Sequence, residues 1–153
     1  MKSSALLAAA ILAIAATPAL AGPASDLVKS FYTEIEDPAD PGNRDKFVDP
    51  AKTKLDENDK TPEGDVGCID GALALDAQDF DEDVVKKTLK LDEKVSGNAA
   101  TVTADFKLFD DNQPDSKREL VWSLKKAGGA WKVADISDPA DEWKLSALDC
   151  GSQ

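Results

Sequence analysis

Apolar positions change their spacing along the chain, from a helical period near the N-terminus to alternation in the second half. The first set falls on one face of a helix: Leu27, Val28, Phe31, Tyr32 and Ile35. This spacing predicts an amphipathic helix that begins near Ser25 and ends near Glu36. A second, more polar helix is predicted over 43–59 and is divided at Pro50, because proline interrupts a helix.

From residue 85 onward, apolar and polar residues alternate, which is typical of half-buried strands. The alternation falls in four runs: 85–95, 102–108, 120–124 and 131–133. Turn-forming segments separate the runs, and a last short helix is predicted over 140–148. Helices followed by strands predict an α+β domain, in which N-terminal helices pack on a curved, cone-like, four-stranded antiparallel sheet.

The first residues have the three parts of a secretory signal peptide. A basic start at Lys2 is followed by an apolar run over 5–16 and by the A-x-A motif of 19–21. The run is shorter than the roughly 20 residues that cross a bilayer, which disfavours an uncleaved membrane anchor. We therefore predict a signal peptide over 1–21, a single domain over 22–153, and a periplasmic or secreted protein that is not bound to a membrane after cleavage.

Charge and cysteine content limit the class of partner and indicate the state of the two thiols. The chain has 18 basic and 30 acidic residues, a net charge of -12 and no histidine. A surface of this sign repels nucleic acid and attracts a basic protein or peptide. An even pair of cysteines in an exported chain predicts a disulfide between Cys68 and Cys150, although a free reactive thiol is the alternative.

Several short motifs resemble those of a group of exported bacterial proteins. They are Asp26–Tyr32, Gln78–Phe80, Asn98–Val102, Trp122–Lys126 and Gly128–Ile136. On these motifs, the chain resembles domain of unknown function 3828, within the nuclear-transport-factor-2-like, cystatin-like superfamily. The resemblance implies a curved sheet wrapped around a helix, often with a cavity, and it transfers no functional residue.

An acidic segment offers a candidate calcium site. Asp79, Asp81 and Asp83 have the spacing that begins an EF-hand loop, and oxygen ligands suit Ca²⁺. The pattern then fails, because Val84 replaces the glycine of the turn and Lys90 replaces the bidentate glutamate. The mismatch favours a solvated acidic loop, so we expect no cofactor and retain the three aspartates only as candidate ligands.

Tyr32 and Asp135 are candidate catalytic residues. Asp135 shares its parity with Trp131 and Val133, so a regular strand would turn it toward the apolar face, near Tyr32. Burial would raise the pKa of such a carboxyl group toward values that suit acid–base catalysis. We favour the opposite interpretation, in which the strand ends or bulges near Asp135 and turns Ile136 inward, so that Tyr32 is a core residue with its hydroxyl at the rim. We therefore assign no catalytic residue and keep these two only as candidates.

Two classes of function remain. The acidic charge and the lack of a catalytic constellation favour a non-enzymatic periplasmic binding or interaction module. The alternative is a pocket protein that binds a small molecule or catalyses proton transfer or hydration in a cone-shaped cavity. The aromatic residues on the predicted inner faces fit either a core or a ligand cage. The sequence does not determine the oligomeric state.

Overall fold

The computed structural model describes residues 22–62 and 64–150, so the predicted signal peptide lies outside the described residues. The helices in this part of the chain are α1 (Pro23–Thr33), α2 (Ala51–Asn58) and α3 (Glu82–Thr88). The strands are β1 (Lys90–Ser96), β2 (Ala99–Lys107), β3 (Lys117–Ala127), β4 (Ala130–Asp138) and β5 (Trp143–Lys144). Short 3₁₀ helices cover Pro41–Lys46, Pro114–Ser116 and Leu145–Ala147. The α+β class predicted from the sequence is confirmed.

The strands form one antiparallel sheet in the order β1-β2-β3-β4-β5. The sheet thus has a fifth strand beyond the four predicted. The predicted helix over 140–148 was wrong, because Trp143 and Lys144 pair with the open edge of β4 and a 3₁₀ turn follows them. Edge pairing satisfies backbone groups that an isolated short helix would leave to solvent.

The run over 85–95 also divides differently from the prediction. Its first part is the end of α3, because the side chain of Asp81 accepts hydrogen bonds from the backbone N–H groups of Asp83 and Val84 and starts a helix there. Strand β1 begins only at Lys90. The local cap therefore overrides the alternation that suggested a longer strand.

The helices cover one face of the sheet, and aromatic side chains fill the space between them. Phe31 of α1 stacks on Trp122 of β3 with ring centroids 5.2 Å apart, and Tyr32 lies 5.2 Å from Phe106 of β2. All four rings are at most 4% exposed. Burial of each such side chain contributes roughly 1.5–3 kcal/mol, so this aromatic cluster is a major source of stability.

A β-bulge changes which residues of β4 face the core. Leu124 pairs with Val133, but the next pair joins Ser123 to Asp135, so Ala134 is an extra residue in β4. Beyond the bulge, Ile136 pairs with the buried Trp122. The bulge therefore turns Ile136 toward the core and Asp135 toward the opposite face.

The C-terminal segment is held against the rest of the domain by three contacts. Leu145 is fully buried in the core, and Ser146 N–H donates to the carboxylate of Asp135 over 3.0 Å. The predicted disulfide between Cys68 and Cys150 is present, with the Cα atoms 5.0 Å apart. None of the helices in the described residues has the length and apolar character needed to cross a bilayer.

Candidate functional site

Tyr32 is a core residue. It is completely buried, and its hydroxyl oxygen accepts a hydrogen bond from the indole N–H of Trp122 over 3.1 Å. Burial raises the pKa of Tyr32 far above its ordinary value, and the bond from Trp122 offsets this only in part. A phenol in this environment keeps its proton and has no contact with solvent through which to exchange it.

Asp135 lies on the other face of the sheet and is also buried. One carboxylate oxygen accepts hydrogen bonds from the backbone N–H groups of Ile136 (3.1 Å) and Ser146 (3.0 Å). The other oxygen lies 3.2 Å from the ammonium group of Lys144. The carboxylate thus joins the bulge to the C-terminal segment, and the structure does not bring it together with Tyr32.

Neither of two surface pockets in the described part of the chain is lined by Tyr32 or Asp135. The larger, of about 820 Å³, lies beside the disulfide, and the smaller, of about 470 Å³, lies between the end of α3 and the beginning of β3. The interior of the fold is filled by the aromatic cluster.

The predicted calcium ligands are spread along an exposed helix start. Asp81 uses its carboxylate to cap α3, and Asp83 lies in the first turn of that helix. Asp79 precedes the cap and is exposed. Capping and helix-dipole interactions account for the acidic residues at 81 and 83.

Three other carboxylates approach one another. Possible ligand atoms of Asp76, Asp138 and Asp141 all lie within 4.8 Å of one another. Asp138 is only 1% exposed, and its Oδ1 accepts hydrogen bonds from the N–H groups of Ala140 (2.6 Å) and Asp141 (3.1 Å). These bonds shape the turn between β4 and β5, which carries Asp141 toward Asp76.

The electrostatic surroundings of Asp76 are unfavourable for a carboxylate. Burial raises its pKa, and the negative charges of Asp138 and Asp141 raise it further, whereas Trp143 and Arg118 lower it. Arg118 also donates through Nε to the backbone oxygen of Asp76 over 3.2 Å. The oxygens of the three carboxylates are of the type that Ca²⁺ takes, although the guanidinium group of Arg118 opposes a cation.

Around these three residues, acidic side chains collect at one end of the sheet. We call this region the acidic end and define it by nine exposed carboxylates: Asp79, Asp81, Glu82, Asp83, Asp110, Asp111, Asp115, Asp141 and Glu142. Asp81 N–H donates to the oxygen of Leu108 over 2.8 Å, which joins the start of α3 to the β2–β3 loop. Phe109, which is 39% exposed, lies on that loop beside Asp110.

The opposite end of the sheet carries lysines. We call it the lysine end and define it by Lys94, Lys125, Lys126 and Lys132. The segments 94–104 and 120–134 contain no acidic residue, and Lys126 N–H donates to the oxygen of Asn98 over 2.8 Å, which joins the two hairpin turns. The β1–β2 and β3–β4 turns therefore lie among lysines, whereas the loops at the other end of the sheet carry carboxylates.

No pattern in the sequence groups Asp76 with Asp138 and Asp141. Asp76 lies about 60 residues before the other two, and it comes close to them only in the folded chain, where Arg118 of β3 donates to its backbone oxygen. The Asp138-Pro139-Ala140-Asp141 sequence signals a turn, but nothing local indicates which segment packs against it.

Comparisons with known proteins support the fold and leave the family open. No family model matches the chain, and no curated protein does, so the resemblance to domain of unknown function 3828 stays a prediction. The fold is similar to one chain of the type VI effector–immunity complex Tae3–Tai3 from Ralstonia pickettii. In the native complex the TM-score is 0.50 at 17% identity, over 78% of this chain and 97% of that chain. In the selenomethionine complex the TM-score is 0.50 at 19% identity, over 77% of this chain and 97% of that chain. The chain therefore shares its α+β fold with a protein that has been crystallised in an effector–immunity complex.

Proposed function

We propose that this chain is an exported, non-enzymatic protein that binds another protein, as the immunity-type member of an effector–immunity pair. The observation that carries the proposal is the similarity of fold over 97% of a chain that occurs in such a complex. The disulfide between Cys68 and Cys150 supports an oxidising compartment, in agreement with the predicted export.

The side-chain inventory favours binding over catalysis. The sequence has no histidine, which is the commonest general acid or base near neutral pH. Both cysteines are in the disulfide, so neither supplies a thiolate nucleophile. Tyr32 and Asp135 are each engaged in structural hydrogen bonds. These features support the immunity-type role rather than that of an effector with enzymatic activity.

We place the partner-binding surface at the acidic end. Its carboxylates are exposed, and Phe109 offers an apolar side chain among them, which is the combination of anchor and charged rim found in protein interfaces. A partner that fits this surface is a protein with a basic patch. Attraction between opposite charges would speed their association and make it depend on salt.

The test uses the disulfide-bonded protein that begins at Gly22 as immobilised bait. Periplasmic and secreted proteins of the encoding bacterium are passed over it at low ionic strength, and retained proteins are identified by mass spectrometry. We expect a basic partner, retained in a one-to-one ratio and released at about 1 M salt, where the Debye length falls to about 3 Å.

Two matched triple variants then locate the surface. Asp79→Asn, Asp110→Asn and Asp115→Asn remove three of the nine negative charges of the acidic end without removing the cap at Asp81, and should slow association with the captured partner at least tenfold at low salt. Lys94→Gln, Lys125→Gln and Lys126→Gln at the lysine end should not slow it. Failure to retain a stoichiometric partner would count against the function. Equal effects of the two triples would count only against the chosen surface.

A further inference from the structure

The first helix begins without a cap from its own chain segment. Gly22 is the N-cap of α1 and has no side chain to accept a hydrogen bond. A carboxylate from another element takes this role, because Oε2 of Glu93 in β1 accepts from the backbone N–H of Ser25 over 2.6 Å. Glu93 thus joins the start of α1 to an edge strand of the sheet.

The same carboxylate lies directly against Gly22. A Cβ atom added to Gly22 would lie 3.0 Å from the carboxylate carbon of Glu93 and 3.1 Å from Oε2, and closer still to Oε1. Glu93 therefore occupies the space that a side chain at position 22 would need. A larger residue at position 22 would displace this carboxylate.

A second polar group in this turn has no partner. The hydroxyl of Ser25 is buried and makes no hydrogen bond among the described residues, and Ser25 is 1% exposed. A buried hydroxyl without a partner is rare in folded proteins and indicates a missing donor or acceptor. Residues three apart on a helix are neighbours, so Ser25 lies next to Gly22.

Gly22 itself gains hydrogen-bond donors if the chain is cut directly before it. The A-x-A motif ends at Ala21, and signal peptidases hydrolyse the bond that follows such a motif. We propose that the Ala21–Gly22 bond is cleaved and that the new α-ammonium group of Gly22 pairs with Glu93 and Ser25. Water provides the hydroxyl that stays on the Ala21 carbonyl carbon, and the nitrogen of Gly22 leaves as an amine, which takes up a proton.

Cleavage changes the charge at the contact between the start of α1 and Glu93. Before it, Gly22 has a neutral amide with one N–H donor; afterwards it has a positive charge and three donors. A positive charge at a helix N-terminus is repelled by the helix dipole, and the carboxylate of Glu93 offsets that repulsion. Processing therefore completes the contact between α1 and β1. This inference requires export and is independent of the partner proposed above.

The first experiment identifies the mature terminus. The full chain is expressed in a bacterium and recovered from the periplasm for intact-mass measurement and N-terminal sequencing. We expect Gly22 as the first residue. Any other first residue, or an uncleaved chain, would overturn the proposal.

The second experiment tests the ion pair with two purified chains, one that begins at Gly22 and one that retains Ala21. Retention of Ala21 should raise the equilibrium constant for urea unfolding about fivefold, because it moves the charge away from the carboxylate. Glu93→Gln should abolish this difference, whereas Glu34→Gln, at an exposed carboxylate beyond the other end of α1, should preserve it. Equal stability of the two wild-type chains, or a difference that persists in Glu93→Gln, would contradict the pairing.

Ser25→Ala provides a readout if Glu93→Gln does not fold. It removes the hydroxyl and leaves the backbone bond to Glu93 in place. The difference between the two chain starts should then shrink, because one of the two acceptors is gone. An unchanged difference would remove Ser25 from the proposed site.

Discussion

Tyr32 is the residue around which the aromatic core is organised. Its ring packs between α1 and the sheet, and its hydroxyl satisfies the indole N–H of Trp122. The pattern of apolar residues predicted its burial, because position 32 falls on the apolar face of a helix. The pattern could not predict the hydrogen bond, since the two residues are 90 positions apart.

Tyr32→Phe should lower the free energy of unfolding by about 1–3 kcal/mol, because it leaves the indole N–H of Trp122 buried without an acceptor. Urea unfolding measures the loss. Trp131→Phe, at a half-buried ring, is the control and should cost less. A neutral Tyr32→Phe variant would show that the hydrogen bond contributes nothing to stability.

The raised pKa of Tyr32 also predicts how the protein behaves in alkali. The unfolded chain loses this proton near pH 10 and the folded chain does not, so stability should fall as the pH rises above about 10. The protein has a single tyrosine, so tyrosinate absorbance reports on this residue alone. It should appear together with unfolding rather than before it.

Asp76 should destabilise the fold when it is charged. Its pKa is raised in the folded state, so stability rises as the pH falls from neutrality through that pKa, until the unfolded chain also binds the proton. Asp76→Asn should therefore raise the melting temperature at pH 7 by more than it does below about pH 4. An equal gain in melting temperature at both pH values would mean that the charge plays no part. The gain would then come only from the tolerance of asparagine for the left-handed backbone at this position, where φ is 49°.

The elements differ in how well the sequence predicts them. The strands β2, β3 and β4 were predicted from alternation because each has one face on the core. Strand β5 has only two residues and takes its conformation from the edge of β4, so it has no periodic signal of its own. A strand end or bulge near Asp135 was the favoured prediction, but nothing in the Val133–Ile136 sequence identifies Ala134 as the extra residue.

Asp135 should stabilise the bulge through its hydrogen bonds more than through its charge. Asp135→Ala leaves the N–H groups of Ile136 and Ser146 without an acceptor and should cost about 1–3 kcal/mol in urea unfolding. Asp135→Asn keeps an oxygen acceptor and loses only the ion pair with the half-exposed Lys144, so it should cost less than about 1 kcal/mol. Equal losses in the two variants would assign the effect to the charge.

At the scale of the whole molecule, the sequence predicted the cysteine pair and the layer order. The candidate site was less predictable, because the acidic end forms from three segments that are distant in sequence. The net charge of -12 does not indicate that the loops at one end of the sheet are rich in carboxylates, whereas the hairpin turns at the other end lie among lysines. The topology of the sheet decides which turns lie at the same end of it.

The disulfide should contribute strongly to global stability, because its cysteines are 82 residues apart. In the chain-entropy model a loop of this length corresponds to about 4–5 kcal/mol, which the double variant Cys68→Ser, Cys150→Ser should lose. The variant should keep its near-ultraviolet circular dichroism at low temperature, because Leu145 and the Asp135–Ser146 bond still hold the C-terminal segment. Loss of that signal would mean that the segment depends on the covalent link.

The separation of charge along the sheet has a consequence for how copies of this protein meet one another. The lysine end of one molecule can attract the acidic end of another, although the net charge of -12 makes the molecules repel one another overall. At very low ionic strength, light scattering should therefore detect stronger repulsion in the triple variant Lys94→Gln, Lys125→Gln and Lys126→Gln than in the wild-type protein, and added salt should remove the difference.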